Sequence, residues 1–368
     1  MGANRMIMLV MALGFAVGGI DKIRGNRWGL GVKFEEGIQF LGTATLTMAG
    51  LLCLVPVFSG GIRYVLERVG TGGMDPSAAA GILGINMGGY SLAMELADDP
   101  VLGIFSGIIV SSMLGATVTF TIPVGLSMIE KEDRDSFARG LMTGLIPVPV
   151  GCFVSGRLMG LSCSVLILNE LPVLVLALLL IFGLYFLPDK MTAGFVRLGR
   201  GIQVLALIGL ILAGCSYISG IRLISSMEDV LSAMAVCSGM CIVMAGSFTV
   251  MELVMRWCRD PLENAGKRIG LNAASVSGML FSFISLVPAF ALMKDMNPRG
   301  KRVCTAFFVG GTCVFGGHLS YAASQEPDYL VPMIVGKLTA AVLGAALMLV
   351  LERKTEKSEK TEKISKTS

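Results

Sequence analysis

Charge is what this sequence has least of. Asp, Glu, Lys and Arg make up 15% of its 368 residues, against about 25% in an ordinary soluble domain. A soluble chain of this length needs charge to cover its surface, so a water-soluble globule is excluded and the bilayer becomes the solvent. Net charge is small as well, with 30 basic and 26 acidic side chains giving +4. That excludes a nucleic-acid binder whose affinity comes from neutralised phosphates. Histidine occurs once, at His318, and none of the nine cysteines stands in a CxxC pair. Most of these thiols sit inside apolar runs, where they read as small buried hydrophobes rather than disulfides or metal ligands. No nucleophile triad, phosphate loop or metal cluster is present, so neither an enzyme nor a cofactor is expected. What is abundant is apolar residues, at 54%, and glycine, with 47 residues, nearly twice the typical share of roughly 7%. Glycine and proline are common in membrane helices, where neighbouring helices satisfy the backbone groups that a break sets free.

About 20 mostly apolar residues span a hydrocarbon core. Eleven segments approach that test: 6–20, 38–58, 77–97, 101–129, 137–156, 165–187, 201–221, 230–255, 269–293, 303–324 and 329–351. The fold expected is an all-α polytopic integral membrane protein with about 9–11 membrane segments. The first run has one preceding Arg and no clear cleavage site, so it reads as a retained helix rather than a signal peptide. Residues 352–368 carry six basic side chains with alternating charge and no aromatics, which reads as a disordered cytoplasmic tail.

Eleven simple crossings counted back from that tail would put Arg256, Arg259, Lys267 and Arg268 outside, against the positive-inside rule. Two same-side hairpins, at the third and ninth segments, repair this, and a single hairpin at the ninth does almost as well on charge alone. With two, the inner loops hold 18 basic residues and the outer loops five: Arg5, Arg63, Arg68, Arg157 and Arg222. An internal repeat favours the same arrangement. Each of these segments carries a Gly-x-Asn, Gly84-Ile85-Asn86 and Gly270-Leu271-Asn272, 186 residues apart (272 minus 86), and the next helices match at an offset of about 196. The halves are then inverted copies, each with a broken or re-entrant segment, an architecture that alternates access to a central site. Residues 1–187 form the first membrane repeat with a connecting helix, and 188–351 form the second. Solute transport is the function this implies.

Polar groups inside apolar segments are costly and mark functional candidates. In the third segment these are Asn86, the pair Gly88 and Gly89, Tyr90 and Glu95; in the ninth, Asn272, Ser275 and Ser285; in the flanking helices, Thr117 and His318. Tyr90 offers a face for cation–π contact, Asn86 and Asn272 suit an amine or alcohol, and Glu95 balances charge. Alternatively Glu95 only sits at the outer interface beside Asp98 and Asp99, and His318 is a structural hydrogen-bonder. Glu252 and Lys337 read as side chains that snorkel from helix ends.

Several stretches carry a resemblance to a known family: FEEG at Phe34, NMGGYSLAMELADDP at Asn86, SGIIVSSMLGATVTFTIPVGLSMIEKED at Ser106, PVPVGC at Pro147, VPAFALMKDMNPRGK at Val287, HLSYAAS at His318 and PMIVGKL at Pro332. In order and over most of the chain, they resemble the bacterial ethanolamine-utilisation transporter family (EutH). The resemblance implies import of ethanolamine across the bacterial cytoplasmic membrane, as a uniporter or facilitator. It implies a small-molecule substrate and the lipid bilayer as partners, and it leaves a homo-oligomer open. The chain departs from the family pattern where acids precede MGG and the histidine, here Asn86 and Gly317, and where polar amides precede a proline, here Ser285-Leu286. Carriage of another small amine or neutral solute is therefore the alternative.

Overall fold

In hydrocarbon every backbone group must be satisfied within the protein, and the helix does so locally. The computed structural model describes residues 2–83 and 89–367, and its regular elements are all helical. Eight described helices are long and apolar enough to cross a membrane: α1 (Ala3–Ile23), α2 (Leu30–Val69), α5 (Pro100–Met128), α6 (Lys131–Leu158), α7 (Cys163–Phe186), α8 (Pro188–Ser219), α9 (Val230–Arg268) and the last, α14 (Leu330–Thr367). Between them lie short helices in pairs: α3 (Ser77–Leu83) with α4 (Gly89–Leu96), α10 (Ala273–Ser282) with α11 (Leu286–Ala291), and α12 (Pro298–Gly311) with α13 (Gly317–Gln325). Helix starts follow capping chemistry, in which a short polar side chain accepts an otherwise orphaned N–H. Asp99 caps α5, Asp229 α9, Asn272 α10 and Asn297 α12. The charged carboxy-terminal stretch continues α14 without a break.

Hydrogen bonds between chain-distant residues fix which helix ends lie together. At one face, Asn4 Oδ1 accepts from Val331 N at 2.9 Å, Arg63 pairs with Asp98 at 2.8 Å, and the Asp75 N–H donates to Asn169 Oδ1. At the opposite face, Arg256 Nη1 donates to Trp28 O, Lys301 pairs with Asp133, and Arg302 grips Glu352 through two bonds of 2.6 Å. All the loops read as inner from their basic residues lie at this second, basic face.

The third and ninth segments are hairpins. Asp75 precedes α3, yet its carboxylate accepts the N–H groups of Asp98 and Asp99 beyond α4, at 3.1 and 3.0 Å, as well as that of Ser77. Both ends of the third segment therefore meet at the first face. In the ninth, Asn272 Nδ2 donates to Asp295 O and Asn297 Nδ2 to Gly270 O, each at 2.8 Å, so both its ends meet at the basic face. Gly270 has φ +79°, a left-handed conformation that lets the chain turn from α9 into α10. The hairpins open to opposite faces.

Two sequence expectations change. Asn272 stands at its hairpin's mouth rather than inside the membrane segment, and the residue at the mouth of the first hairpin is Asp75, 197 residues earlier (272 minus 75). The separation of Asp75 and Asn272 lies within a residue of the offset of about 196 read between the following helices, while Gly84 to Asn86 lie outside the described residues. The tenth segment, read as one span over 303–324, is broken: α12 ends at Gly311 and α13 begins at Gly317.

Candidate functional site

The broken tenth segment is stitched to the second hairpin. Cys313 N donates to Ser282 O at 2.8 Å and Phe315 N to Phe283 O at 2.9 Å, while Ser247 of α9 donates to Phe315 O. Gly316 lies so close that a Cβ there would stand 2.1 Å from the Ile284 carbonyl oxygen, where only glycine fits. Cys313 adopts φ +51°, a strained conformation for a non-glycine residue that persists only where its surroundings hold it, often at functional sites. The His318 ring sits over the break with Nδ1 2.9 Å from Thr312 O, and it is buried.

Facing this break is α5, which is widened over Phe105–Gly115 and Thr117–Thr121 into π-helix, a form that concentrates at functional sites. Thr117 and Thr119 donate back to Met113 O and Gly115 O. Lys337, fully buried at 0% exposure, donates to the Ser112 carbonyl at 2.6 Å. It does not snorkel from a helix end: its ammonium is enclosed between α14 and the π-helical stretch. Glu252 does stay near the interface, paired with Arg256.

A cavity of about 920 Å³ runs from the basic face to the break. Lys33, Glu36, Arg200 and Glu252 ring its mouth; Phe40, Phe120, Phe248 and Phe281 form walls; Thr119, Ser285, Cys313 and His318 lie at its inner end. An aromatic-walled cavity ending on hydroxyl, thiol and imidazole suits a small, partly polar solute. A second cavity of about 680 Å³, beside Arg134, Phe137 and Tyr185, does not reach the helix breaks.

Of the sequence candidates, the structure brings Ser285 and His318 together in this cavity, with Thr117 two residues along α5 from Thr119 of the lining. Asn272 and Ser275 lie elsewhere, bonded to each other at the mouth of the second hairpin, where Asn272 Oδ1 accepts both the Ser275 N–H and hydroxyl. Gly89 is buried against Ser111. Glu95 is exposed toward the first face, and Tyr90 lies near that face with its hydroxyl donated to Glu326. Asn86 and Gly88 fall outside the described residues. Sequence reasoning passed over Glu170, 7% exposed with Oε1 unpartnered, and took the buried Lys337 for an interfacial side chain. The signal for both was an ionisable residue inside an apolar run. Among the described residues no cluster of three metal-ligating side chains occurs.

Comparison with known proteins extends over the whole chain. Residues 3–351 match the family described as "Ethanolamine utilisation protein, EutH". A Listeria monocytogenes protein named probable ethanolamine permease EutH is 36% identical over 362 residues, covering 98% of this chain and 97% of that one. A Salmonella typhimurium protein of the same name is 33% identical over 392 aligned residues, 95% of this chain and 96% of that one. The uncharacterised Bacillus subtilis protein YxeR is 36% identical over 348 residues, 94% of each chain. No solved structure matches the chain.

Proposed function

The chain belongs to the EutH family of ethanolamine utilisation proteins, and from that premise we propose that it carries ethanolamine across the bacterial cytoplasmic membrane by alternating access. The basic face is cytoplasmic on the positive-inside rule, with α14 and the charged tail ending there. The observation that carries the reading is the cavity that ends where the second hairpin meets the broken tenth segment. Oppositely oriented hairpins around such a point are what a carrier with inverted halves needs in order to expose one site to each face in turn.

Ethanolamine at neutral pH is mostly a small ammonium cation bearing one alcohol, and holding it in low dielectric requires compensating groups. The faces of Phe120, Phe248 and Phe281 offer cation–π contact, and Ser285, Thr119 and His318 offer hydrogen-bond partners to the alcohol. Asn86 and Gly88 keep the roles the sequence assigns them. Asn272 and Ser275 serve instead as the clasp of the second hairpin.

A carrier that moves the cation alone gains about 2.3 kcal/mol per 100 mV of inside-negative potential, roughly 50-fold accumulation without a coupled ion. Uptake of labelled ethanolamine into proteoliposomes tests this. An imposed potential is expected to drive accumulation, and Ser285→Ala with His318→Gln to reduce it. Dependence on a proton gradient in place of voltage would sink the uniport mechanism. The second reading, a carrier of another small amine or neutral solute, draws on the inner end of the cavity, where the described lining holds no carboxylate. Competition by a panel of small amines and alcohols separates the two.

A further inference from the structure

The face opposite the basic loops has a second group of side chains suited to an amino alcohol, apart from the cavity. Tyr90 on α4 donates its hydroxyl to Glu326 Oε1 at 2.7 Å, which ties the first hairpin to the end of α13 and so joins the two halves. The Tyr90 ring meets Tyr321 edge to face, with centroids 6.1 Å apart and planes at 78°. Glu326 is half-buried, and among the described residues its carboxylate is held by this hydroxyl and by no basic side chain. Tyr321 is 3% exposed, and its hydroxyl, with the Ser91 hydroxyl for a neighbour, makes no well-formed hydrogen bond among the described residues. With the Ser91 hydroxyl as its neighbour, this buried phenol keeps hydrogen-bonding capacity that a bound alcohol could use.

We propose that Glu326, Tyr90 and Tyr321 form a receiving site for a small amino-alcohol cation at this face, closed in the present state by the Tyr90–Glu326 bond. The inference rests on the function proposed above and adds to it the residues that first hold the substrate. The Glu326 carboxylate takes the ammonium in place of the Tyr90 hydroxyl. The two tyrosine rings flank the cation, and the Tyr321 hydroxyl takes the alcohol. Carboxylate, aromatic faces and an open hydroxyl are the complement of an ammonium and an alcohol on one short chain. Because the carboxylate serves either the hydroxyl or the ammonium, arrival of the cation itself loosens the tie between the halves. Ligand binding and opening are then one event, and no separate trigger is needed.

The test is ethanolamine uptake by the full-length protein in proteoliposomes of known sidedness, measured from the Glu326 face. Glu326→Gln is expected to raise the half-saturating concentration at that face by about tenfold or more, and Glu326→Asp, which keeps the charge, to recover part of it. In Tyr321→Phe, ethylammonium should compete as well as ethanolamine, because the partner of the alcohol is gone. Tyr90→Phe keeps the ring and removes the tie. It should speed labelling of Ser324→Cys by an impermeant maleimide, in a background with Cys163 and Cys215 changed to serine. Wild-type uptake with an unchanged half-saturation in Glu326→Gln would overturn this inference and leave the proposed function standing. Absence of ethanolamine uptake by the wild-type protein would overturn both.

Discussion

Asp75 does more for the first hairpin than its place in a glycine-rich linker suggests. At 8% exposure its two oxygens accept three backbone N–H groups, from Ser77, Asp98 and Asp99. Removing them leaves those donors unpaired, each costing about 1–3 kcal/mol when buried. Asp75→Ala is therefore expected to lower the melting temperature in detergent by an amount equivalent to about 2–4 kcal/mol, and Asp75→Asn by less, because one acceptor remains. Calorimetry or dye-monitored melting of the purified protein reads this. At this scale the sequence was uneven. His318 and Ser285 were legible because a polar residue in an apolar run needs a reason to be there. Asp75 and Glu326 were not, because an acid in a loop between helices is ordinarily solvated, and only its partners 23 and 236 residues away give it a role. Lys337 was visible as a charge in PMIVGKL, but whether a lysine reaches the interface or is enclosed depends on its neighbours, and α5 encloses it.

At the level of elements, glycine permits the helix breaks on which the proposed carrier depends. Gly316 has no room for a methyl group: the Ile284 carbonyl stands 2.1 Å from where its Cβ would be, and backbone yields little. Gly316→Ala is expected to push the second hairpin off the break, at about 1–3 kcal/mol in overpacking. Because the cavity ends there, uptake should fall by tenfold or more while insertion and elution volume stay normal; a transport assay beside size-exclusion chromatography checks both. The second hairpin's clasp gives a parallel case. Asn297→Ala removes both a helix cap and the bond to Gly270 O and should cost about 1–2 kcal/mol in the same melting assay. The ninth segment's hairpin was legible because the basic loops could not otherwise stay on one side. The break in the tenth segment was not: its hydropathy is that of a continuous span, and what opens it is the backbone of a neighbouring hairpin.

On the scale of the whole molecule, the two faces define a topology that the native thiols can report. Cys163, exposed at the start of α7, belongs to the face of Asp75 and Glu326, and Cys258, partly exposed near the end of α9, to the basic face. In intact cells an impermeant maleimide should label Cys163 and spare Cys258, and in inverted vesicles the preference should reverse; peptide mapping of the labelled protein decides it. Membrane residence, the all-helical fold and the basic face were readable from the chain, because hydropathy and charge act on each segment locally and the bilayer sorts them without reference to neighbours. The enclosure of Lys337, the break at Gly316 and the tie between Tyr90 and Glu326 were settled only by tertiary structure. Each is a contact between residues distant in the chain, made or lost over an ångström or two, and no local pattern of residues encodes a separation of that kind.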